Sequence, residues 1–243
     1  MRTSLLNGML TSLSTNYNRR NKEAALYELS NVYVPHSLPV TELPDERMTL
    51  CMGFYGNGDF FDLKGAVEVL FEKLGLTREL RFENRGNLPF LHTGRQAAIC
   101  YDGGMVGFLG EVHPLVVKNN ALAARTYVAQ IDVKMLYDKV STDRKYVGIP
   151  KYPAVTRDLS LVMSKELPAG DVERVIAQCA GNLLENLELF DLYEGAQVGP
   201  GNKSLAYTLR FRAADRTLED KDVAPLMAKI VTKLSGMGVM LRS

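Results

Sequence analysis

LELFDLYEGAQVGPGNKSLAYTLRF, residues Leu187–Phe211, reads as a long β-hairpin, and the fold of the chain turns on it. On the second arm Leu205, Tyr207, Leu209 and Phe211 share one parity, while Ser204, Ala206, Thr208, Arg210 and Arg212 share the other. Alternation of this kind marks a strand with one face in a core and one face free. On the first arm Leu187, Leu189, Asp191 and Tyr193 alternate against Glu188, Phe190 and Leu192. Phe190 and Leu192 are assigned inward, because the opposite choice buries Asp191. The free face then carries an aromatic, an acid, hydroxyls and arginines, which suits stacking on and hydrogen bonding to splayed nucleic-acid bases. The alternative is an ordinary solvated face.

The residues on either side complete a pattern. Before the hairpin, Asp158 to Met163 is a strand with Leu159, Leu161 and Met163 on one side and Ser160 on the other. A helix follows, with Val172, Val175, Ile176 and Cys179 at helical spacing and Gly181 at its end. After the hairpin, Thr217 and Asp220 resemble a capping box that opens a helix through Leu234, striped by Val223, Leu226, Ile230 and Leu234. Pro225 falls inside it and predicts a kink or a later start. Val239 to Leu241 supplies a last strand. The order β, α, β, β, α, β predicts two helices on one face of an antiparallel sheet, with the other face bare.

The 243 residues allow two ordinary domains. Twenty-nine basic residues against twenty-eight acidic ones argue against a strongly positive surface that binds nucleic acid regardless of sequence. Recognition of RNA must be local. Three distant cysteines, Cys51, Cys100 and Cys179, suggest buried thiols rather than a disulfide framework or zinc site. No apolar run is long enough to span a bilayer, so no membrane partner is expected and a cytoplasmic protein is inferred.

The first half is mixed α and β. Leu5, Leu6, Met9, Leu10 and Leu13 predict a helix that Thr3 or Ser4 caps. Strands are expected at Ala25 to Val34, Met48 to Tyr55, Ala97 to Tyr101, Met105 to Val112 and Tyr127 to Val133, with a turn at Asp102-Gly103-Gly104. A helix is expected from about Asp62 to Leu74. The loop Gly56-Asn57-Gly58-Asp59 before it invites a dinucleotide reading, which Phe61 opposes by standing where the third glycine belongs. The polar stretch from Asp138 to Lys151, with Pro150 and Pro153, reads as a linker.

RTSLLNGML at the start, DFFDLKG at Asp59–Gly65, GFLGEVHP at Gly107–Pro114, YPAVTRDLSLV at Tyr152–Val162, LFDLYEG at Leu189–Gly195, and KSLAYTLRF with DRTLED occur in an order that resembles the C-terminal part of bacterial phenylalanyl-tRNA synthetase β subunits. The resemblance implies an α+β chain: a class II synthetase-like antiparallel sheet module over residues 1–140, inactive in catalysis, a linker at 141–149, and a ferredoxin-like (βαββαβ) anticodon-binding domain over 150–243. It implies that the chain starts within the subunit. It also implies an α2β2 ligase that attaches phenylalanine to tRNA(Phe), with ATP and Mg2+ on the α subunit and no cofactor in this fragment. His92-Thr93-Gly94-Arg95 departs from the family's His-Pro-Gly-Arg.

An adenylating site needs arginines where negative charge gathers in the transition state. Arg81-Phe82-Glu83 has the spacing of one such motif but lies in a charged stretch without a following strand, so no catalytic residue is assigned. His92 and His113 read as structural rather than metal-binding or acid–base groups, and Arg95 and Glu111 as paired surface or interface charges. The nucleic-acid-binding candidates are Ser160, Asp191, Tyr193, Ser204, Thr208 and Arg210, with Arg157, Lys203 and again Arg210 for phosphates. Tyr193 would stack a base, and Asp191 would accept from a guanine edge; the resemblance implies a GAA anticodon. A regulatory ferredoxin-like module that binds a small molecule, and a stand-alone enzyme using the Gly56–Asp59 loop for a nucleotide, are the competing readings.

Overall fold

The computed structural model of the protein describes residues 1–77, 79–84, 87–140, 146 and 148–242. The chain divides into two compact units, Met1–Arg144 and Lys145–Ser243. Of the expected linker, residues 141–145 and 147 lie outside the described residues.

The first unit runs α1 (Leu6–Asn18), β1 (Ala24–Val34), β2 (Asp45–Tyr55), α2 (Phe60–Lys73), β3 (Arg81–Glu83), β4 (Leu91–Tyr101), β5 (Gly104–Val112), α3 (Pro114–Asn119), β6 (Thr126–Asp132) and α4 (Lys134–Tyr137). Its strands form one antiparallel sheet in the order β1-β2-β6-β5-β4-β3. On one face, Cys51, Tyr55, Val112 and Val128 pack with Leu6, Met9, Leu10 and Leu13 of α1 and Val117 of α3. On the other face Ile99, Leu109, Ala129 and Ile131 meet Leu63, Val67 and Phe71 of α2. Each fully buried Val, Leu, Ile or Phe side chain among these contributes roughly 1.5–3 kcal/mol of hydrophobic stabilisation.

Local chemistry explains the element ends. Ser4, rather than Thr3, serves α1: its Oγ accepts from the Leu6 amide at 3.1 Å and donates to Gln130 Oε1 at 2.8 Å. Asp102 and Gly103, at φ 51° and 76°, close the β4–β5 hairpin, a backbone hand that suits Asp and Gly. Four expectations need correcting. The strand expected from Ala97 starts at Leu91, where it pairs with Val112 of β5. The second strand starts at Asp45, before Met48, because its ladder with β1 extends to Val34. Arg81-Phe82-Glu83 is itself a short edge strand, paired with Ala98–Cys100. The helix expected from Asp62 begins at Phe60, since the Asp59 carboxylate accepts from the Phe61 and Asp62 amides and Asp62 accepts from the Asp59 amide. That reciprocal cap fills the helix N-terminus with two carboxylates, which disfavours a phosphate there and so counts against the nucleotide-loop reading.

The second unit runs β7 (Val155–Ser164), α5 (Ala169–Ala180), β8 (Leu184–Tyr193), β9 (Asn202–Phe211), α6 (Asp220–Ser235) and β10 (Met240–Leu241). Its antiparallel sheet has the order β10-β7-β9-β8. Leu159, Leu161, Met163, Leu205, Tyr207, Leu209 and Phe211 form a core with Val172, Ile176 and Cys179 of α5 and Val223, Ile230 and Leu234 of α6. This is the ferredoxin-like arrangement that the residue pattern predicts. The cap of α6 is Glu219 with Asp222, not Thr217 with Asp220. The helix continues through Pro225, which is exposed, as is Lys221, whose carbonyl lacks the proline N–H and can turn to water. All three cysteines are buried and free, and burial pushes the Cys51 thiol up to about 12. Among the described residues no helix is long and apolar enough to cross a membrane.

Candidate nucleic-acid interface

The register of the second sheet lays the residues of its uncovered face out in rows. Val162, Ser204 and Tyr193 form one row, Ser160, Ala206 and Asp191 the next, then Asp158, Thr208 and Glu188, and last Thr156, Arg210 and Asn186. Directly paired residues in an antiparallel ladder point to the same side, so each row is a set of neighbours. Ser160, Asp191, Tyr193, Ser204, Thr208 and Arg210 therefore share one surface.

Asp191 and Tyr193 reach that face for a reason other than the expected one. A β-bulge between Leu189 and Asp191 gives β8 an extra residue, Phe190, against β9. Leu187 and Leu189 stand opposite the core residues Leu209 and Tyr207, and beyond the bulge Leu192 stands opposite Leu205. Leu192 thus has inward parity, yet it is 56% exposed rather than buried. Phe190 lacks that parity as well: it is displaced at the bulge and equally exposed. One added residue shifts the phase, so leucines before it and polar groups after it fall on opposite sides without burying Asp191.

Arg157 and Lys203 are not brought to this face. They stand opposite Leu209 and Met163 and so share the parity of the helix-covered side. Arg157 is ion-paired to Asp220 at the start of α6, and Lys203 Nζ donates to the Lys165 carbonyl at 3.1 Å.

Polar groups on the face are partly engaged. Thr208 Oγ1 donates to Asp158 Oδ1 at 2.8 Å. Glu185 accepts from Arg212 at 2.8 Å and Arg210 at 2.7 Å, and the Arg212 hydrogen bond, with Arg210 beside it, holds its carboxyl below the usual carboxylate range. Ser204 is buried despite its open-face position. Asp158, Glu188 and Asp191 make the centre of the face more acidic than basic. Carboxylates accept from base N–H groups and repel phosphates, so this surface suits base edges better than backbone.

Tyr193 is held from two directions. The Arg242 guanidinium lies over its ring, 5.0 Å from the centroid. At Gly195 an added Cβ would collide with Tyr193 Oη, so the chain turns closely past the ring. Arg242 also donates from its backbone amide to the Ser160 carbonyl at 2.9 Å and from Nη2 to Gln197 Oε1 at 2.7 Å. Neither Arg242 nor Gln197 was a candidate from sequence. Arg242 follows a two-residue strand, too short for parity to be read, and Gln197 lies in a turn.

In the first unit, His92 and His113 act locally: the Nδ1 of each accepts a backbone amide, from Gly94 at 3.1 Å and Leu115 at 3.2 Å. Arg95 and Glu111 pair with each other, at 2.5 Å from Nε to Oε2 and 3.2 Å from Nη2 to Oε1, with Glu111 buried. Among the described residues no group of three or more His, Cys, Asp or Glu side chains could hold a metal ion.

Residues 1–133 match the family model described as the phenylalanyl tRNA synthetase beta chain CLM domain, and residues 150–242 match the ferredoxin-fold anticodon binding domain. Similar curated proteins include the phenylalanine–tRNA ligase beta subunits of Clostridium acetobutylicum, 42% identical, Clostridium tetani, 38%, and Symbiobacterium thermophilum, 39%. Each alignment takes in all of this chain but only 30%, 30% and 28% of the respective relative, so the chain spans about a third of their length. With a domain model matched to each compact unit, the chain belongs to the phenylalanyl-tRNA synthetase β chain family.

Proposed function

We propose that this chain recognises the anticodon of tRNA(Phe) on the open face of its second sheet, as part of a ligase that joins phenylalanine to that tRNA. The observation that carries the reading is the row arrangement itself, which sets Tyr193 and Asp191 on adjacent rows with Ser204 and Ser160. Tyr193 offers a ring for stacking. Asp191 accepts from N1–H and N2–H of a guanine, and Ser160 is short enough to let a base approach while donating or accepting; Ser204, buried beneath the face, supports it from below. Arg210 and Arg242 supply the face's positive charge, while Arg157 and Lys203, on the helix side, stay outside it.

In this reading the first unit, residues 1–140, is a non-catalytic relative of class II synthetase cores that docks on an α subunit in an α2β2 assembly in the cytoplasm. ATP and Mg2+ belong to that subunit. Support comes from exposed Tyr27, Leu29 and Met48, which lie together on one side of β1 and β2 and form an apolar surface suited to a protein partner. The test is a titration with tRNA(Phe) and an anticodon-swapped copy at one moderate salt concentration. Tighter binding of the matched tRNA is the expected result; equal binding of both would reduce the face to phosphate contact.

A further inference from the structure

Gln197 sits in a short 3-10 turn, Ala196–Val198, between the close passage at Gly195 and the start of β9. Val198 is buried, so the turn is pinned to the unit rather than projecting from it. From that fixed position the Gln197 side-chain oxygen accepts from Arg242 Nη2 at 2.7 Å. The other end of Arg242 is tied to β7 through the Ser160 carbonyl. A long arginine side chain would otherwise sample many rotamers, and two tethers place its planar cation over one face of the Tyr193 ring. Gln197, Val198, Val162, Met240, Leu241 and Arg242 line a cavity of about 480 Å³ on this side of the sheet.

We propose that Gln197 is a positioning residue for base stacking: it does not read RNA itself but holds Arg242 on Tyr193, fixing the plane against which a base stacks. The proposal rests on the reading of the open face as a base-binding surface. A neutral carboxamide suits this task better than a carboxylate, because it fixes the guanidinium without cancelling its charge or repelling a phosphate. The residue acts through Arg242 to Tyr193, so its effect must vanish when Arg242 is absent.

Two measurements test this on the full chain. In the free protein, the ring carbon–proton NMR signals of Tyr193, assigned through Tyr193→Phe, should move toward exposed-tyrosine values in Gln197→Ala. They should stay in place in Gln197→Glu, which keeps the acceptor. Unmoved signals in Gln197→Ala overturn the proposal. In tRNA titrations, Gln197→Ala should cut discrimination between matched and swapped anticodons by about three- to tenfold, the range of a modest cation–π contact. It should cause no further loss in an Arg242→Ala background. An equal loss in that background would mean that Gln197 touches RNA directly, and retained discrimination in Gln197→Ala would show that the tether is irrelevant; either overturns the positioning role alone. If the unsubstituted chain binds both tRNAs equally, the base-binding reading falls and this proposal with it.

Discussion

Two antiparallel sheets in one chain are finished differently. The first has helices on both faces, and the sheet surface it leaves bare at the β1 edge is apolar, with Tyr27 78% and Leu29 56% exposed. The second has both long helices on one face, and its bare side carries hydroxyls, carboxylates, an arginine and a tyrosine. An uncovered apolar patch gains by excluding water with a protein, whereas an uncovered polar face can exchange water for the edges of a polar ligand. The contrast shows that two sheets built from the same secondary structure expose surfaces of different chemistry.

The largest effect that would sharpen this contrast lies within β9, whose two faces do different work. Leu209 is fully buried, so Leu209→Ala should destabilise the second unit by about 2–5 kcal/mol. Thr208→Ala, one residue away on the open face, should change stability little. Denaturant melts of both variants check this, and equal losses would erase the distinction between the faces. Next is Glu111→Ala, which leaves Arg95 without its partner. Because Arg95 is partly exposed, the expected cost is about 1–3 kcal/mol, seen in the first unit and not in tRNA binding.

Tyr193→Ala should weaken matched tRNA by about 1–3 kcal/mol with no change in the melt. A large drop in melting temperature would make the ring a structural element instead. The smallest effect concerns acid. Glu185 is held below its ordinary value of 4.5 by Arg212 and Arg210, and Asp222 below 3.8 by the Glu219 amide and Arg216. Both folded values are depressed, so their stabilisation is complete above about pH 4.5 and fades as pH falls through the depressed values. Glu185→Gln should flatten the acid limb of a melting curve followed from pH 6 to pH 3; an unchanged limb would leave the carboxylate without a stabilising role.

The core side of the second sheet was legible because β7 and β9 keep strict alternation, and one face of each is filled by α5 and α6. The edge strand β8 was not fully legible. Its apparent period puts Leu187, Leu189, Asp191 and Tyr193 together, and a bulge has no sequence signature strong enough to reveal the shift at Phe190. The outward position of Asp191 and Tyr193 follows from where a carboxylate can go, which is a physical constraint rather than a pattern. Charge alone points to Arg157 and Lys203, but their parity sets them on the helix side. Arg242 meets Tyr193 only through a tertiary contact, 49 residues along the chain from it, and Gln197 is linked to the ring through Arg242.

The bulge at Phe190 also bears on behaviour in concentrated solution. β8 is an edge strand, and a straight edge offers a continuous line of amide and carbonyl groups onto which a second molecule can zip. The extra residue breaks the spacing of that line midway, and Glu188 and Asp191 flank the break with negative charge. The same irregularity that turns Tyr193 outward therefore guards the strand against edge-to-edge aggregation, so removing Phe190 should both promote aggregation and turn Tyr193 to the helix side.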